Sequence, residues 1–520
     1  MEMLREQKWF SPTTVLFFAV CAVYIYSHVF LWPDLPIFYE NDHTALLNDA
    51  KRMFDGEVIY KDFFEFTFPG AASIYYLLFQ VFGPRFWVLD LVIFLCGLAS
   101  ALTCYAISKR LLGNTVYALL PPALFVFFGF RWFGLDGEHR SISPIFVSLA
   151  IVPLLDRTTA LRAAAAGALC AFASFFTQQR GLAALAAIGL YMLIDLGIRR
   201  RELKKFVACS ASAISGFVVT LSVLLAPFIW KAGDNVFFAS TIGFLRSYVK
   251  DPTTNSLATY FLTFQKILSL GVVNAMVAAF YYLLIPGIFI GILIYLYVKR
   301  RSLKVGESSK LLLISLLGLF LMLGTPAPNA ERLFQICIPA LVLAGWLVSK
   351  IRIFTPVVVR ACILLLIAVG CVLAVRVQTA WTTHTLTTPA GEMVFLTPEV
   401  YERYKWLSDN IRPGDEVYET YNAQVNFPLG VKNPSKISVL LNSGYNPPSQ
   451  VAQAISDIDI KKPRFILWDA VWTREIETQQ PGDRLEPFYR YLTEHYELRQ
   501  RFTPYDGRER EVWERKAEQR

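Results

Sequence analysis

Between Phe10 and Trp32 the chain carries no Asp, Glu, Lys or Arg. A helix crossing a bilayer needs roughly 20 mainly apolar residues, because hydrocarbon offers no partner for an unpaired backbone group, so this run predicts a first membrane span. Further apolar runs begin near Phe86, Thr115, Ser141, Ala163, Gly181, Phe206, Gly271, Leu311, Leu333 and Ile353, which makes about eleven spans in all. The expected fold class is therefore a polytopic α-helical membrane protein. Composition agrees: 55% of the 520 residues are hydrophobic and the mean hydropathy is +0.42, too apolar for a string of water-soluble domains.

The charges give the spans an orientation. Arg5 and Lys8 precede the first run without a small-residue cleavage site, which reads as an uncleaved anchor with a cytoplasmic N-terminus. Strict alternation then places Lys109-Arg110, Arg157 to Arg162, Arg199 to Lys205, Lys299 to Lys310 and Lys350 to Arg352 on the cytoplasmic side. Each of these connections is basic, as the positive-inside rule requires. The formal charge of +9 is thereby explained by topology, and no nucleic-acid partner is expected. The eight cysteines all lie in apolar stretches, which indicates helix packing rather than disulfides or a zinc site.

From about Thr382 the composition becomes that of a water-soluble domain. Glu416 to Glu419, Ile437 to Leu440 and Arg464 to Asp469 read as strands, and Pro398 to Asn410 and Pro448 to Ile458 as amphipathic helices. The expected organisation is a transmembrane part, 1–381, and an extracytoplasmic α/β domain, 382–520. The latter shows no Gly-rich phosphate loop, serine elbow or metal-binding run. Two outward connections are long, Pro33 to about Arg85 and Lys231 to about Leu270. Inside the first, Gly70 to Phe82 is apolar but too short to span, which predicts an interfacial or re-entrant helix.

That first connection holds a distinctive series: Asp42, Ala50, Gly56, Tyr60, Asp62, Phe63, Pro69 and Gly70. It places a carboxylate just after a span, then a short helix, a glycine turn, a Tyr-x-Asp-Phe step and a Pro-Gly entry into an apolar segment. The series resembles the first outer loop of GT-C class glycosyltransferases that use lipid-linked sugars, especially the bacterial relatives of protein O-mannosyltransferases and the aminoarabinose transferases. His43 stands where that family has a second carboxylate. The Gln178-Gln179-Arg180-Gly181 and Glu331-Arg332 turns extend the likeness along the chain. The resemblance implies inverting transfer of a sugar from a polyprenyl phosphate to a protein, glycan or lipid acceptor on the outer face of a bacterial inner membrane.

Such a transfer needs a base near the acceptor and positive charge or a metal near the departing phosphate. Asp42 is the expected base. Asp136, Glu138 and His139, in the charged run Arg131 to Arg140, are candidates to join Asp42 or His43 around a divalent cation, Mn or Mg. The alternative is that these acids pair with Arg131 and Arg140 to hold the loop or the acceptor. Arg180 and Arg332, at expected outer helix ends, are candidates to clamp the donor phosphate; Lys231, Arg246, Lys250 and Lys266 are secondary ones. His28 reads as a hydrogen-bonded packing residue, and Asp90 and Arg360 as groups that snorkel or cap. A transporter or flippase of lipid-linked glycans is the rival class, but no internal repeat or recurring mid-span charge supports it.

Overall fold

The computed structural model describes residues 11–39, 42–130, 136–248, 269, 271–325, 330–380, 384–421, 423–441, 445–470, 485–502 and 509–517. Arg5, Lys8, Arg131, Lys250 and Lys266 lie outside them. The described residues form two compact units.

The first unit comprises 1–29, 92–225 and 253–379. Six helices in the described chain are long and apolar enough to cross a membrane: Pro12–Val29, Trp87–Leu112, Gln178–Arg199, Leu203–Ala232, Val305–Leu323 and Pro356–Arg376. Five shorter apolar helices accompany them, Thr115–Phe130, His139–Leu154, Ala160–Phe176, Tyr282–Val298 and Ile338–Lys350, and a sixth, Gly70–Phe82, belongs to the second unit. These positions follow the apolar runs of the sequence. Local chemistry sets several boundaries. The Asn114 side chain accepts from Val116 N at 2.9 Å and starts Thr115–Phe130, and Thr159 caps Ala160–Phe176 in the same manner. Pro121 and Pro122 remove two amide donors inside Thr115–Ala123, and the helix continues as a wider π turn from Leu124 to Phe130.

The basic connections gather together within this unit. Arg110 pairs with Asp156 at 3.5 Å, Lys310 donates to Arg110 O at 2.6 Å, Arg199 reaches Ser308 Oγ at 3.4 Å, and Lys350 pairs with Glu307 at 2.8 Å. Connections expected to share one side of the membrane therefore meet at one end of the bundle. Within the long connection that starts at Lys231, residues 234–248 are helical, partly with π geometry, and belong to the second unit.

The second unit comprises 30–91, 226–252 and 380–520. One sheet has the order β1-β2-β4-β3, built from Phe30–Leu31 (β1), Leu35–Phe38 (β2), His384–Thr388 (β3) and Gly391–Phe395 (β4). β2 runs parallel to β4 with Ile37 opposite Val394 and Phe38 opposite Phe395. The second sheet has the order β5-β6-β8-β7, from Val417–Glu419 (β5), Phe465–Asp469 (β6), Tyr496–Phe502 (β7) and Arg510–Arg515 (β8). It packs Tyr418 and Trp468 on Phe488 of the Glu486–His495 helix. β5 and β6 were expected, as were Pro398–Asn410 and a helix from Pro448, which runs to Lys461.

Ile437 to Leu440, expected to be a strand, is irregular. Ile437 and Leu440 do enter the core. Their amides are engaged elsewhere: Ile437 N donates to Ser435 Oγ at 3.0 Å and Leu440 N to Thr420 O at 2.7 Å. One donor is taken locally and the other by the residue after β5, so the two do not form a regular ladder.

Candidate functional site

The first-loop motif is mostly scaffold. The Asp42–Phe54 helix ends before Gly56, which has φ +99 and turns the chain where a side chain would be strained. Asp62 Oδ2 accepts from Val58 N at 2.8 Å, and Phe63 is fully buried. Tyr60, held at φ +72, donates from its hydroxyl to Thr67 O at 2.7 Å. Pro69 then opens the Gly70–Phe82 helix, which matches the expected apolar segment.

Arg52 ties these pieces to one another. Its guanidinium donates to Glu57 Oε2 at 2.8 Å and to Ser435 O at 3.1 Å, and lies over the Phe63 ring at 4.7 Å. Sequence reasoning missed this residue, because an arginine in the last turn of a short helix reads as a solvated charge. His43 is buried and its Nε2–H donates to Tyr39 O at 2.8 Å, so it fastens the helix entry. Asp42, at the first helical position, is half-buried.

Asp49 was also missed, although it stands seven positions after Asp42 and thus on the same helix face. It is 5% exposed and hydrogen-bonds Glu65. Burial first, and the Glu65 charge second, push its carboxyl well above the usual range. Glu65 is raised as well, by burial, while Oε1 accepts from Phe66 N, Thr67 N and Thr67 Oγ1 at 2.8, 2.7 and 2.9 Å. Those three donors make Glu65 the better seat for the charge, so Asp49 is the member that holds the proton.

The other candidates come together in the first unit. Asp136 Oδ1 accepts from Ser141 Oγ at 2.5 Å and Glu138 N at 3.0 Å, while Oδ2 accepts from Gln335 Nε2 at 3.1 Å. Gln335 Oε1 in turn accepts from Arg180 at 3.1 Å, which makes this amide a bridge between acid and base. Arg180, 2% exposed, also donates to Arg140 O and, at 3.2 Å, to Ser143 Oγ. Glu138 is 1% exposed and pairs with Arg140 at 3.5 Å. His139 has Arg140, Arg180 and Arg332 as charged neighbours.

The acids are thus engaged by arginine, amide and hydroxyl donors. Among the described residues no group of three or more His, Cys, Asp and Glu side chains could hold a metal ion. Of the secondary cations, Lys231 and Arg246 are exposed. His28 donates from Nδ1 to Tyr24 O at 2.8 Å and packs on the Tyr24 ring. Asp90 differs from expectation: it is fully enclosed, and neither carboxyl oxygen has a hydrogen-bond partner among the described residues, so it neither caps nor snorkels.

No protein-family model matches the chain, and no curated protein matches its sequence. Solved structures do match its fold. ArnT from Cupriavidus metallidurans bound to undecaprenyl phosphate superposes with a TM-score of 0.59 and 12% identity, covering 96% of this chain and 98% of that one. The apo state of the same protein gives a TM-score of 0.50 and 13% identity over the same shares. The likeness runs through nearly the whole of both chains, so the fold is shared with that protein.

Proposed function

We propose that this chain is a glycosyltransferase that takes a sugar from a polyprenyl-phosphate donor and places it on an acceptor hydroxyl at the outer face of a bacterial inner membrane. The observation that carries this reading is fold likeness over 96% of the chain to ArnT, a protein seen bound to undecaprenyl phosphate. The first-loop motif, with Asp42 at its head, supports it from the sequence side. Asp42 acts as the base: its carboxylate takes the acceptor O–H proton as the acceptor oxygen bonds to the anomeric carbon. The bond from that carbon to the donor phosphate oxygen breaks, and polyprenyl phosphate leaves. The scaffold of Arg52, Tyr60, Asp62 and Phe63 fixes the loop that presents Asp42, and a fixed loop lowers the cost of orienting the acceptor.

Positive charge for the phosphate is assigned to the cluster of Arg140, Arg180 and Arg332, in which Arg180 is fixed by Arg140 O, Ser143 and Gln335. Asp136 and Glu138 serve that cluster as acceptors. Asp136 is engaged by Ser141, Glu138 N and Gln335, and Glu138 pairs with Arg140, so the scheme gives these acids a positioning role and routes no step through a divalent cation.

The test is transfer from a panel of radiolabelled polyprenyl-phosphate sugars by membranes carrying wild-type chain or Asp42→Asn, with crude acceptor extract. Donor-dependent transfer, lost in the variant at equal expression and insensitive to EDTA, is the expected outcome. Full transfer by Asp42→Asn removes Asp42 as the base, and loss of transfer on EDTA treatment overturns the metal-independent scheme.

A further inference from the structure

The helices Gln178–Arg199 and Leu203–Ala232 are joined by a short basic turn, and both line one cavity. That cavity, of about 300 Å³, is lined by Leu182, Ala186, Gly189, Met192, Ser210 and Ile214 among others. Leu182 and Ile214 are 53% and 54% exposed, so the groove opens sideways, where a membrane span meets lipid. Its walls are apolar with one exception. Ser210 Oγ is shielded and has no hydrogen-bond partner among the described residues. A serine in such a helix ordinarily returns its proton to the carbonyl four residues back, as Ser212 does to Ala208 O at 2.8 Å. Ser210 does not, and it stands in the groove wall as an unused donor.

The connecting turn supplies the second half of the site. Arg199 reaches Ser308, Arg200 pairs with Asp195 at 3.0 Å, and Lys205 pairs with Glu202 at 3.0 Å. Arg201 and Lys204 are exposed, and neither side chain has an ion-pair or hydrogen-bond partner among the described residues. Arg201 also sits at φ +56, a backbone state that a non-glycine residue adopts only at a cost. Lys204 precedes Ser210 by six helical residues, about 9 Å along the axis.

We propose that this groove binds an anionic phospholipid. Its phosphate is held by Arg201 and Lys204, a glycerol-ester carbonyl accepts from Ser210 Oγ, and one acyl chain lies along Ala186, Gly189 and Ile214. The order of the groups selects this chemistry. A phospholipid carries an ester acceptor a few bonds below its phosphate, where Ser210 awaits it. A polyprenyl phosphate has only hydrocarbon there and leaves the hydroxyl unsatisfied. A zwitterionic lipid offers the ester but no net charge for the two cations. The site is separate from the arginine cluster, which lies near the opposite end of Gln178–Arg199, and it does not depend on the transfer reaction.

The experiment uses the purified full chain in detergent, titrated with phosphatidylglycerol, phosphatidylcholine or a polyprenyl phosphate and read by native mass spectrometry and thermal unfolding. Wild type is expected to retain phosphatidylglycerol preferentially and to unfold at higher temperature with it. Removing both charges as Arg201→Gly with Lys204→Gln should weaken that binding by about fivefold per cation. Glycine suits the positive φ, so this variant folds at least as well without lipid. Ala186→Leu, which fills the groove while keeping the charges, should abolish retention. Equal binding of phosphatidylglycerol and phosphatidylcholine, unchanged binding by either variant, or tighter binding of polyprenyl phosphate at this groove would each overturn the proposal.

Discussion

Asp49 and Glu65 form a buried acid pair in the first loop, and the pair has a consequence for pH. Asp49 is raised above its unfolded value of about 3.9 by burial and by Glu65. A group raised on folding binds its proton more tightly in the native state, so its stabilisation is complete below the unfolded value and is lost as pH rises through the folded one. Thermal stability of the full chain in detergent should therefore fall as pH rises above the ordinary carboxylate range. Asp49→Asn keeps an N–H donor for Glu65 without a titrating proton; its melting temperature should change less with pH and match or exceed wild type at pH 8. An unaltered slope would show that the pair does not titrate in this window. Arg52 carries the other single-residue prediction. Lysine there retains the charge but not the fork that serves Glu57 and Ser435 together. Arg52→Lys should lose about 1.5–3 kcal/mol and make the 55–62 segment newly sensitive to limited proteolysis, whereas Lys51→Arg, on the exposed side of the same helix, should not.

Helix packing in the first unit depends on glycines that leave no room for a side chain. A Cβ at Gly167 would lie 1.9 Å from Ala213 O, and one at Gly216 would lie 2.2 Å from Ala164 O. Ala160–Phe176 and Leu203–Ala232 therefore meet backbone to backbone, the close approach that small residues permit inside a bilayer. Gly167→Ala should force the pair apart and cost about 1–3 kcal/mol, read as a lower melting temperature in detergent; Gly291→Ala, where nothing lies within 4 Å, is the matched control and should be neutral. Elements of this kind were legible from the sequence because apolar runs and basic turns are strong, one-dimensional signals. Strands β3, β4, β7 and β8 were not. β7 buries Tyr496 and leaves most of its other residues exposed or half-exposed, so it lacks the alternation that would have disclosed it. β2 has four residues and is stabilised by a partner more than 350 positions away, a pairing that no local pattern encodes. The candidate site divides the same way. Asp136, Glu138, His139, Arg180 and Arg332 announce themselves as charges between apolar helices, but Gln335, the amide that joins Asp136 to Arg180, is a neutral residue at the end of the short Ala330–Gln335 helix.

The second unit is assembled from three stretches of chain, and this determines what a C-terminal piece can do by itself. Residues 382–520 contain all four strands of the β5-β6-β8-β7 sheet, with the Tyr418, Trp468 and Phe488 core beneath it. They contain only half of the other sheet. β4 pairs with β2, and the Phe38 ring packs at 4.8 Å on Phe395 and 4.7 Å on Tyr404. Phe427 stacks on Phe79 at 5.4 Å, and Lys436 O accepts from Phe64 N at 2.8 Å. A fragment cut at 382 loses each of these contacts and exposes β4 as an unpaired apolar edge, which favours association. Hydrogen exchange on that fragment should find β6 and β8 protected as in the full chain, β3 and β4 exchanging far faster, and concentration-dependent self-association. If β3 and β4 kept full protection, the first loop would be an attachment to a self-sufficient domain. If they lose it, the loop that presents Asp42 and the C-terminal chain fold as one cooperative body, and substitutions in the β2–β4 pairing should disturb Asp42 without touching it.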